Sequence, residues 1–146
     1  MKKIFLAILI LSMKFSYAQQ CKVSFTQLLS LNTYSLSAFD SFALKNGFSF
    51  NAKEQTYFCD SKEKGRHNLL TRNDQSKYTI LIYSFYNKKE YLNLKKKLEK
   101  GQLTGTQNEK EILRLRYLYN GKIIILQTTT FTDGINTYMV SLTRIK

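Results

Sequence analysis

The chain has 146 residues, a formal net charge of +13, two cysteines, one histidine and no proline. That length is enough for one domain with a real core, and the apolar and aromatic content is that of a folded globule, which argues against a disordered chain. The charge favours polyanionic partners such as nucleic acid, anionic lipid head groups or acidic protein surfaces, although a lysine-rich solvated surface gives the same sum.

Met1-Lys2-Lys3 forms a short positive start, and Ile4 to Met13 is an uncharged, mostly apolar run. The run is too short to cross a bilayer of about 30 Å as a helix. Ser16 and Ala18 stand at the −3 and −1 positions of a cleavage site before Gln19. Residues 1–18 therefore read as a cleaved signal peptide and 19–146 as a single α+β domain, with a buried N-terminal helix as the competing reading. Gln19 and Gln20 precede Cys21 where a lipoprotein signal needs a small residue, so the expected location is periplasmic or extracellular without a lipid anchor. Cleavage removes Lys2, Lys3 and Lys14 and no acid, which lowers the net charge from +13 to +10. In an exported chain, Cys21 and Cys59 read as one disulfide, the alternative being two unpaired thiols.

Ser24-Phe25-Thr26-Gln27 has the form of a capping box ahead of Leu28, Leu29 and Leu31. Ser37-Ala38-Phe39-Asp40 resembles a second helix start, with Leu36, Phe39, Phe42 and Ala43 spaced for one face and Gly47 in place to end the helix left-handed. Short strands are expected at Phe48–Phe50, Thr56–Cys59 and Asn68–Thr71, in a region that otherwise reads as a polar loop from Asp60 to Lys77. Tyr78–Tyr86 is β-branched and aromatic on both faces, as suits a central strand. Asn87 opens a helix ending at Gly101, with Tyr91, Leu94 and Leu98 on one side and Lys89, Lys96 and Lys100 opposite.

Ile112–Tyr119 alternates, and Asn120-Gly121 is a strong two-residue hairpin signal. That turn would set Tyr117 opposite Ile124 and Leu115 opposite Leu126, one core face. The next turn contains Asp133-Gly134. A two-residue loop there would turn Val140 and Leu142 outward; a three-residue bulged loop puts Tyr138, Val140 and Leu142 inside, and is the expected form. The resulting outline is helix, glycine, three strands, repeated once. It implies an α+β fold: an antiparallel sheet with helices on one face, built from two α-β-β-β half-repeats. The sheet's other face would be uncovered. Such paired halves are similar to those of secreted protein inhibitors, and the small lysine- and asparagine-rich exported domain resembles bacterial envelope proteins; neither likeness assigns an activity.

Catalysis is thinly supported. His67 stands alone in a charged loop, Glu109 and Glu111 read as solvated carboxylates, and no metal-ligand spacing, phosphate loop or nucleophile elbow occurs. The expectation is a non-enzyme without metal or cofactor. The uncovered face would carry Arg114, Arg116, Ile123, Ile125, Gln127 and Thr129, together with Ser141 and Thr143. Isoleucines flanked by arginines and hydroxyls have the composition of a protein-binding centre with a polar rim, whereas the bland reading is an ordinary solvated sheet. The expected partner is thus another protein, in the manner of an inhibitor, immunity factor or envelope accessory. The alternative is an anionic lipid or polysaccharide bound through Lys88, Lys89, Lys96 and Lys100, helped by the Lys62–Arg72 loop. Nucleic acid is disfavoured by export and by the absence of a base-reading module.

Overall fold

The computed structural model describes residues 21–61 and 65–145. The signal-peptide reading of residues 1–18 lies outside them. Among the described residues the order is α1 (Phe25–Leu31), α2 (Leu36–Lys45), β1 (Ser49–Asn51), β2 (Thr56–Asp60), β3 (His67–Asp74), β4 (Tyr78–Phe85), α3 (Lys88–Leu98), β5 (Gln102–Glu109), β6 (Ile112–Tyr119), β7 (Lys122–Thr130) and β8 (Asn136–Ile145). No described helix is long and apolar enough to cross a membrane.

The helix starts follow their caps. Ser24 and Gln27 form the reciprocal capping box of α1, and the Asn87 side chain accepts from the Glu90 backbone N–H at the head of α3. Helix α2 begins earlier than its sequence suggests. Ser35, not Ser37, is the cap, and it accepts from the Ala38 N–H. Leu36 then falls at the open end of the helix and is exposed, while Phe39 and Ala43 are buried. Gly47 ends this segment with φ +82°, a conformation that costs glycine nothing.

All eight strands form one antiparallel sheet in the order β1-β2-β3-β4-β8-β7-β6-β5. Each half is helical sequence followed by a four-stranded meander, and the last strands of the two meanders, β4 and β8, pair at the centre. The expected three strands per half become four. In the second half the addition is β5, which has no apolar alternation and whose eight residues are all exposed. It is a strand because the free edge of β6 offers it a ladder. In the first half, the strand expected at Asn68–Thr71 extends to His67–Asp74 as β3 and takes eight residues of the stretch from Asp60 to Lys77 that reads as a polar loop.

The register of the last two hairpins follows the turn chemistry. Asn120 and Gly121 both have positive φ, and Tyr117 pairs with Ile124 and Leu115 with Leu126. In the next turn Phe131 N–H donates to Ile135 O at 3.1 Å, which leaves the three residues Thr132-Asp133-Gly134 as the loop, with Gly134 at φ +78°. Tyr138, Val140 and Leu142 are accordingly buried.

Buried side chains of the helices (Phe25, Leu28, Leu31, Phe39, Ala43, Leu94, Leu98) join one cluster with Leu70, Leu81, Tyr83, Phe85, Ile124, Leu126, Val140 and Leu142. Those strand residues share one face by register, called here the core face. Each such leucine, isoleucine or phenylalanine contributes about 1.5–3 kcal/mol by leaving water. Ring contacts bind helix to strand: Phe25 on Tyr119, Phe39 on Tyr57, and Tyr91 stacked on Tyr138 at 4.5 Å. The Asn32 amide donates to Leu142 O at 2.9 Å, joining the end of α1 to β8. Cys21 and Cys59 form a disulfide with Cα atoms 6.2 Å apart, tying the segment before α1 to β2.

Candidate functional site

The second face of the sheet is built from the residues that alternate with the core. Strand pairing lines them up in rows. One row runs Thr56, Thr71, Ile82, Ser141, Ile125, Arg116 across β2, β3, β4, β8, β7 and β6. The next runs Phe58, Leu69, Ser84, Met139, Gln127, Arg114. On the other side lie Asn73, Ile80, Thr143, Ile123 and Leu118. Ile80 and Ile82 of β4 and Ile123 and Ile125 of β7 thus flank Thr143 and Ser141 of β8, with Met139 in the next row; all are half-buried, while Leu69 and Leu118 are exposed at either side.

The six residues expected on this face from β6 and β7 all lie on it, and they differ in what holds them. Arg114 Nε donates to Gln127 Oε1 at 2.7 Å and its Nη1 donates to Gln107 Oε1 at 3.2 Å. Gln127 Nε2 donates onward to Thr129 Oγ1 at 3.0 Å, and Gln107 Nε2 to Glu109 Oε1 at 2.5 Å. This polar ladder crosses three strands and fixes the Arg114 guanidinium against amide oxygens, which do not neutralise it. Arg116 stands two residues along β6, about 7 Å away, opposite Ile125. Its guanidinium is exposed and has no hydrogen-bond or ion-pair partner among the described residues.

Sequence reasoning missed half of this surface. Ile80, Ile82 and Ser84 of β4 and Met139 of β8 complete the centre, yet Tyr78–Tyr86 is apolar on both faces and offers no sign of which side is out.

The candidate lysines sort differently. Lys89, Lys96 and Lys100 lie within about 40° of one another at 100° per residue and are exposed, whereas Lys88 lies off this stripe. The loop arginines expected to help them are engaged elsewhere. Arg72 donates to Asp74 and to the Tyr34 carbonyl and lies over the Phe39 ring, so it serves the fold. Arg66 pairs with Asp133 beside the rings of Tyr86 and Phe131. Lys62 and Lys64 lie outside the described residues. His67 Nδ1 donates a hydrogen bond to Asp60 Oδ1 at 2.9 Å across β2 and β3, with its ring edge-to-face with Phe58; both partners are solvent-exposed.

Two cavities flank α3. One of about 380 Å³ is lined by Lys22, Gln27, Lys89, Glu90 and Lys97. There burial pushes the Glu90 carboxyl above its ordinary value, while the Tyr83 hydroxyl and Lys22 hold it down. The second, of about 550 Å³, lies between α3 and the ends of β5 to β8. No known protein family, curated protein or solved structure matches this chain.

Proposed function

We propose that this is an exported, non-enzymatic domain that binds another protein through the second face of its sheet, as an inhibitor, immunity factor or envelope accessory does. The helices would all lie against the core face, leaving the second face free, and the two helix-plus-meander halves would present it as one continuous surface. The observation that carries the reading is the set of half-buried apolar residues Ile80, Ile82, Ile123, Ile125 and Met139, flanking Ser141 and Thr143, beside an ordered Arg114 and an unpartnered Arg116. Apolar side chains at the middle of a patch, with arginine at its edge, are the composition of a protein-binding centre. The disulfide supports export, since such bonds persist in oxidising compartments.

The test is capture of a partner from host envelope extract by the tagged protein, washed at low and then high salt. One protein retained in stoichiometric amount at high salt, and lost from both Ile125→Asp and Arg116→Glu with unchanged circular dichroism, is the expected result. Equal retention by both variants overturns the reading.

A second reading rests on the exposed stripe of Lys89, Lys96 and Lys100. It makes the protein a binder of anionic lipid or polysaccharide, with Lys88 beside the stripe. Affinity would then fall steeply with salt and with charge reversal at Lys89 and Lys96, because exposed charges are screened within about 8–10 Å at physiological ionic strength.

A further inference from the structure

The cavity of about 550 Å³ has a floor made by one row of the core face. Asn108 of β5 pairs with Leu113 of β6, Leu113 with Thr128 of β7, and Thr128 with Tyr138 of β8. Tyr91 of α3 stacks on Tyr138 with ring planes 24° apart, so a tyrosine pair forms one wall. Lys88 and Lys110 stand at the mouth with Glu111. Lys110 occupies the β5–β6 turn at φ +44°, a conformation unfavourable for lysine, and Thr130 N–H holds that turn by donating to Glu111 O at 2.9 Å.

The polar groups here are under-used. The Thr128 hydroxyl is buried and has no partner. Asn136 accepts from the Thr130 hydroxyl at 2.7 Å, and its own NH₂ donates to nothing described. The Asn108 amide is exposed and has no side-chain hydrogen bond among the described residues. Buried polar groups are satisfied in the great majority of folded proteins, so the unsatisfied Thr128 hydroxyl beside a cavity of ligand size, with the amides of half-buried Asn136 and exposed Asn108 at its edge, points to an outside partner.

We propose that this cavity binds a sugar residue of an acidic glycan. A sugar ring has an apolar face that lies on an aromatic wall and hydroxyls that both donate to and accept from amide and threonine groups. The two lysines outnumber the single glutamate at the mouth, which favours a carboxylate or sulfate on the sugar. A rotation about χ1 of Thr128 turns its hydroxyl toward the ligand. The cavity lies on the opposite face from Ile125 and Arg116 and does not rest on their role.

The test is titration of the ¹⁵N-labelled protein with three tetrasaccharides: oligogalacturonate, a heparin fragment, and neutral chitotetraose. One of the two acidic probes should move the side-chain amide signals of Asn108 and Asn136 and bind more tightly than chitotetraose. Tyr91→Ala and Asn136→Ala should each weaken that binding by about ten-fold or more. Thr128→Val keeps the shape and removes the orphan hydroxyl, so it should weaken binding while leaving the melting temperature unchanged or higher. Absence of shifts at Asn108 and Asn136 with every probe at about 10 mM overturns the proposal. So does binding that Tyr91→Ala leaves intact and that salt abolishes, which would assign it to the lysine stripe, or binding of chitotetraose as tight as that of the acidic probes.

Discussion

Tyr83 and Glu90 meet below the start of α3, where Tyr83 is fully buried and its hydroxyl donates to Cys21 O at 3.2 Å. Burial first, and the Glu90 charge second, push the Tyr83 hydroxyl above its ordinary range. Glu90 is raised above 4.5 by burial, against the pull of Tyr83 and Lys22. A carboxyl raised in the folded state holds its proton more tightly than the unfolded chain does. Its contribution to stability is therefore full below pH 4.5 and lost as pH rises through the higher folded value. Glu90→Gln should raise the melting temperature at pH 7 and leave it nearly unchanged at pH 4; no gain at pH 7 would mean that the carboxylate is well solvated. Two glycines also separate by cause. A Cβ at Gly101 would sit 2.7 Å from the Leu118 carbonyl, whereas at Gly121 the space is open but φ is +72°. In urea denaturation Gly101→Ala should cost about 1–3 kcal/mol and Gly121→Ala about 1 kcal/mol.

At the scale of elements, local chemistry decided where most of them begin and end. Ser24 with Gln27, Asn87, and Asn120-Gly121 each do what their residue types predict, because caps and two-residue turns depend on groups within four residues. The turn of Thr132, Asp133 and Gly134 was legible for a different reason: only an odd loop keeps Val140 and Leu142 inside. Replacing these three residues by Asn-Gly should turn the inward residues of β8 outward or strain the hairpin. The expected outcome is loss of a single cooperative unfolding transition and of near-ultraviolet circular dichroism; an unchanged transition would show that the register does not depend on the loop. Strand β5 and the helix end at Leu36 were not legible. The first has no pattern of its own, and the second depends on whether a strand lies beneath the helix end.

For the whole molecule, the disulfide closes a separation of 38 residues and anchors the described start of the chain to β2. In the chain-entropy picture such a link contributes about 4 kcal/mol, close to a large share of the stability of a small domain. The Cys21→Ser/Cys59→Ser double variant should lower the unfolding free energy by about that amount, read as a shift in the urea midpoint at constant slope. A change below about 1 kcal/mol would mean that the unfolded chain gains little freedom when the link is lost. The pairing of β4 with β8 is the other molecular-scale feature, since it makes two meanders into one sheet and places Ile80 and Ile82 in the same rows as Ile123 and Ile125, across Thr143 and Ser141 of β8.

By itself the sequence determined the α+β class, the caps of α1 and α3, the last two hairpin turns, the inward residues of β6 to β8 and the six outward residues of β6 and β7, because each of these depends on period or on neighbours a few residues away. Only the tertiary structure decided that there are eight strands, that the halves join through β4 and β8, and that Asn108, Leu113, Thr128 and Tyr138 form the floor of one cavity. Those are consequences of which strand edges pair, and edge pairing is a property of the assembled sheet that no single segment contains.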